Sequence, residues 1–120
     1  EARPALIAQL RAADAAICTG ASLESGWLPT LQQRAGNPRV QDGAPGLFLA
    51  ASVVTLIDPQ PGAGGNPFAG DVHAEGNPHL HADPHRVLAV ARAWSARLQQ
   101  LLPAQLAAIA QREAAFSMQW

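Results

Sequence analysis

The chain contains no lysine: its eight positive groups are all arginine, set against nine carboxylates for a net charge of −1. The arginines form no basic run and do not interleave with aromatic residues, so nucleic acid is not an expected partner. Arginine without lysine, beside abundant alanine, reads as genomic base bias rather than chemistry. The single Cys18 cannot form an internal disulfide. Within Ala15-Ala16-Ile17-Cys18 it reads as a small buried hydrophobe, with no neighbouring histidine or positive group in sequence to lower its pKa. No stretch reaches the ~18–20 apolar residues needed to cross a bilayer. Glu1-Ala2-Arg3-Pro4 is not the start of a signal peptide, and the chain opens abruptly on a helix-like segment. It therefore reads as a mature fragment whose targeting segment lies upstream. The sequence also lacks HExxH, CxxC, Gly-x-Ser-x-Gly, Walker and dinucleotide motifs.

What remains is a 120-residue chain, 48% hydrophobic and 14% charged, which fits one domain with a packed core. Much of the apolar content is alanine, which buries little area per residue. Pro4, with Leu6, Ile7 and Leu10 at helical spacing, predicts an amphipathic helix over residues 3–13. Asp14 leads into a short buried strand over 15–19 that ends at Gly20. Helix then strand is half of a βαβ unit. A second helix runs from Ser25-Gly26-Trp27-Leu28-Pro29 to about Arg34, with Trp27 and Leu28 serving the core, and Gly36-Asn37-Pro38 stops it. Arg39-Val40-Gln41 reads as a brief strand. The apolar stretches 47–52 and 53–57 are left open between strand and short helix. Residues 58–70 are a Gly/Pro loop by composition. Asp83-Pro84 reads as N-cap and first residue of a long helix over 84–101, with Val87, Leu88, Ala91, Trp94, Leu98 and Leu101 on one stripe. Pro103 interrupts it, and a terminal helix follows over 104–118. Met118 and Trp120 are either frayed or part of an exposed apolar face.

All four histidines fall between His73 and His85, in a His-rich segment over 71–83 and the helix start beyond it. Imidazole is the commonest protein ligand for zinc, copper, nickel and iron. His79 and His81 are two apart, so on an extended segment both side chains project to one face and offer two nitrogens to one ion. Asn77-Pro78 restricts the backbone just before them. His85 lies in the first turn of the long helix, and His73 and Glu75 lie on a looser stretch. Two other readings stay open at this level. One is a small His-metal hydrolase with Glu75 or Asp83 as base. The other is a non-metal interaction module with solvated histidines.

Ile17-Cys18-Thr19-Gly20-Ala21-Ser22-Leu23-Glu24-Ser25-Gly26-Trp27-Leu28-Pro29 resembles the strand-turn-helix of the periplasmic metal-binding proteins of zinc/manganese ABC transporters. Gly70-Asp71-Val72-His73, then Gly76-Asn77-Pro78-His79-Leu80-His81-Ala82-Asp83-Pro84, is similar to that family's second ligand motif and the start of its backbone helix. The likeness covers essentially the whole chain. It implies an α/β fold with a short, mostly parallel sheet flanked by helices and a long backbone helix, forming half of a two-lobed metal-binding protein. It also implies a solute-binding component, not an enzyme, in the periplasm or lipid-anchored outside the membrane. Such a component captures Zn(2+), with Mn(2+) second, for an ABC transporter permease.

His79 matches the family's second metal-binding histidine. His81 falls where many members have an aromatic residue, so it and His73 are further candidate ligands, with His85 and Glu75 behind them. Glu1-Ala2-Arg3-Pro4 matches the tail of the motif carrying the first ligand, which would lie upstream. The other two ligands belong to a second lobe absent from this sequence. The implied site is then completed by that lobe, or by neighbouring copies in a homo-oligomer held by the exposed apolar face.

Overall fold

The computed structural model describes residues 3–60 and 73–120. Glu1-Ala2, most of the Gly/Pro loop and the first two residues of the His-rich segment lie outside the described residues. Helix α1, Pro4–Ala12, leads into strand β1, Ala16–Cys18, and then a turn into α2, Leu28–Ala35. Strand β2, Leu47–Leu49, pairs parallel with β1 in the register Ala16↔Leu47, Ile17↔Phe48, Cys18↔Leu49. Helix α3, Pro84–Leu101, and helix α4, Leu106–Gln119, complete the α/β architecture. Among the described residues the sheet has two strands, parallel, as a βαβ connection requires. No helix among the described residues is long and apolar enough to cross a membrane.

Local chemistry explains the boundaries. Pro4 and Pro84 occupy first helical positions, where a missing N–H costs nothing. Asp83 caps α3 by accepting from the backbone N–H groups of His85 and Arg86 at 2.9 and 3.3 Å. Gly36 closes α2 in the left-handed conformation (φ 62°). Buried Asn37 then donates to the carbonyls of Leu10 and Ala13, each at 2.8 Å, supplying donors to the C-terminal end of α1. Buried Gln32 similarly donates to the carbonyl of Val40 at 2.8 Å.

The brief strand expected over 39–41 is instead a turn of 3-10 helix, Pro38–Val40. The Asn37 side chain accepts from the Arg39 N–H at 3.1 Å, and the Asn37 carbonyl accepts from the Val40 N–H at 3.3 Å. With Pro38 at the second position, turn chemistry overrides β propensity. The open stretches resolve into β2 and a 3-10 turn, Ala50–Val53. The expected burial of β1 is also corrected: Ile17 is 48% exposed. Trp27, expected in the core, stands exposed at the N-cap of α2.

The main core gathers Phe48 and Ala50 from the sheet side, Leu80 and Val90, with Ala51, Val54, Ala93 and Trp94 packed around them. Phe48 and Trp94 meet with ring centroids 5.2 Å apart at 52°. Val90, outside the predicted stripe, is the buried apolar residue of α3. Leu80, 6% exposed, is the anchor that ties the histidine segment to this core.

Candidate metal centre

Two segments meet beyond the carboxyl ends of the strands, where open α/β sheets bind ligands. One is the loop after β1. There Glu24 accepts from the Thr19 N–H at 2.7 Å on one oxygen and from the Gly20 N–H at 2.9 Å on the other. These charge-assisted bonds hold three successive residues, Gly20, Ala21 and Ser22, at left-handed φ values of 83°, 49° and 65°. Ser22 then donates its hydroxyl to Glu75 Oε1 at 3.2 Å, tying the loop to the histidine segment.

The second segment is itself braced by residues 56–60. The Asn77 N–H donates to the Ile57 carbonyl at 2.8 Å, and the Gln60 N–H donates to the Ala74 carbonyl at 3.2 Å. Gly76, at φ 125°, allows this approach. A Cβ there would lie 2.6 Å from Leu56 Cβ and 2.9 Å from the Ile57 carbonyl oxygen.

Within this frame three histidine rings stand in sequence. His73 and His79 have centroids 6.3 Å apart at 84°, and His79 and His81 are 5.8 Å apart at 86°. His79 and His81 are exposed, while the Nε2 atom of His73 is shielded from solvent. A cavity of about 190 Å³ is lined by Asp58, Gln60, His73, Gly76, Asn77, Pro78 and His79. Two of the nominated ligands therefore share its wall. His81 lies beyond it, reached through its ring contact with His79. His85 is on α3, exposed, with its backbone N–H held by Asp83.

The extended arrangement expected for His79 and His81 does not occur. His79 has φ −76° and ψ 44°, and the Leu80 N–H donates to the Pro78 carbonyl at 2.8 Å, an inverse γ-turn with His79 at its apex. A 3-10 turn, Leu80–Ala82, follows at once. Burial of Leu80 rather than strand alternation sets the direction of its two histidine neighbours.

Glu75 and Asp83, the bases named for a hydrolytic reading, both have structural bonds, to Ser22 and to the start of α3. Asp58 and Gln60 line the cavity although nothing in the sequence nominated them. Asp58 sits at φ 52°, a conformation aspartate tolerates better than most residues. Among the described residues, no three His, Cys, Asp or Glu side chains stand ready-made as a metal set. The arrangement offers two imidazoles at one cavity, fewer than the four donors of a closed zinc site.

A family model described as zinc-uptake complex component A, periplasmic, matches residues 1–120. No curated protein and no solved structure matches the chain.

Proposed function

Because the chain belongs to the periplasmic zinc-uptake component A family, we propose that it captures Zn(2+), with Mn(2+) second, through His79 and His73 for delivery to an ABC transporter permease. The role of a metal-binding, substrate-binding component follows from membership. The ion, the ligands, the periplasmic location and the delivery step are this proposal. What carries it is the shared wall of one cavity, where His73 and His79 stand with ring centroids 6.3 Å apart. His81, 5.8 Å from His79, is a further donor within reach of side-chain rotation.

The chemistry is coordination without catalysis. Each imidazole binds through a deprotonated ring nitrogen, so protons and metal compete for the same lone pair. The donors still needed are those that the family resemblance assigns to an upstream histidine and to a second lobe. Transition-metal preference then rests on the geometry of the completed shell, because imidazole admits several ions.

Calorimetric titration with zinc, of the chain and of His79→Ala, tests the reading. Binding is expected to weaken at least about tenfold in the variant. Equal affinity in parent and variant would favour solvated histidines and no metal role.

A further inference from the structure

We propose that Asn77 is a positioning residue for His79, acting through the backbone at the apex of the γ-turn; this rests on the reading of His79 as a metal ligand. The Asn77 side chain accepts from the His79 N–H at 2.9 Å. The Asn77 N–H is itself fixed to the Ile57 carbonyl at 2.8 Å, and Pro78 between the two is fully buried. On the other side of the apex, the Leu80 N–H returns to the Pro78 carbonyl and the Leu80 side chain is locked in the core.

His79 is thus the one exposed residue in a run whose neighbours on both sides are buried. The direction in which its side chain leaves the chain is set by this backbone. An inverse γ-turn is a strand-end conformation with a single weak ring of its own, and an exposed N–H at its apex would otherwise turn to water. The Asn77 carbonyl oxygen supplies the missing restraint and carries the rigidity of the 56–60 brace to the imidazole. The asparagine touches no metal ion in this role. Its effect is on where the His79 nitrogen points when the ion arrives, as outer-shell partners do for other metal ligands.

Zinc titrations of the full chain, with Asn77→Ala, Asn77→Ser and His79→Ala in parallel, test this. Asn77→Ala is expected to raise the zinc Kd about tenfold. Asn77→Ser, whose hydroxyl accepts the same i+2 bond, should recover most of that loss. The absorption bands of bound Co(2+) should shift in Asn77→Ala and return in Asn77→Ser, a readout that loss of stability alone would not move. If His79→Ala binds zinc like the parent, His79 is not a ligand and the underlying reading fails. If His79→Ala weakens binding and Asn77→Ala does not, only the role of Asn77 is overturned. Failure of Asn77→Ser to rescue overturns it too. Should Asn77→Ala not fold, Asn77→Gly, which keeps the backbone freedom without the acceptor, takes its place against Asn77→Ser.

Discussion

Glycine 76 is where a single missing carbon decides the geometry of the site. Alanine there would put Cβ 2.6 Å from Leu56 Cβ and 2.9 Å from the Ile57 oxygen, at a φ of 125° that side chains rarely adopt. Overlap and backbone strain together should cost at least about 2 kcal/mol, read as a lowered urea midpoint for Gly76→Ala. Gly26→Ala is the control: nothing lies within 4 Å of its added carbon, so no loss of stability is expected. Cys18 offers a second residue-scale test. Burial first, and the nearby Glu24 carboxylate second, push its thiol above its ordinary pKa. Less thiolate is then present at a given pH, so alkylation at about pH 8 should be slower than for a free cysteine. Glu24→Gln removes the charge and keeps one of the two acceptors that hold the loop. It should lower the pKa and speed the reaction, and an unchanged rate would show that burial acts alone.

At the scale of elements, the sequence was most legible where one residue type has one physical job. Pro4, Pro84, Asp83 and Gly36 mark helix ends, and they stand at those ends in the fold. Legibility failed where local side-chain bonds compete with periodicity. Asn37 turned an apparent strand into a 3-10 turn, and Asn77 with buried Leu80 turned an apparent extended ligand pair into a γ-turn. In both places an Asn-Pro pair was in view, but its consequence depends on a bond across the fold, from the Asn37 side-chain amide to the Leu10 and Ala13 carbonyls and from the Asn77 backbone N–H to the Ile57 carbonyl. The loop after β1 was recognised through the resemblance of the segment from Ile17 to Pro29, yet its bond to Glu75 by way of Ser22 links residues far apart in sequence and leaves no local mark. Asp58 and Gln60 were missed for the same reason, since a Gly/Pro-rich composition carries no pairing register. The cap of α3 gives the prediction at this scale. Asp83→Ala removes the acceptor for two backbone N–H groups and an ion pair with Arg86 at 3.3 Å. The loss should be about 1 kcal/mol in chemical denaturation, with Asp83→Asn retaining most of the cap.

For the molecule as a whole, little apolar area is hidden relative to its spread. The radius of gyration is 15.8 Å, against about 14 Å for a compact domain of this length. Among the described residues the buried apolar set is small and includes three alanines, while Ile17, Leu106, Met118 and Trp120 are each about half exposed or more. A fold with that balance has a narrow stability margin, so anything that binds only the folded state shifts it visibly. Zinc at about 100 times its Kd should add about 2.7 kcal/mol. For a domain this size that is a rise in Tm on the order of 10 °C. The rise has a specific dependence on place. His79→Ala should abolish most of it, because that imidazole stands on the cavity wall with His73. His85→Ala should leave it intact, because His85 lies on α3 outside that wall. A zinc-induced rise that survives His79→Ala but disappears in His85→Ala would move the metal to the helix start and away from the cavity.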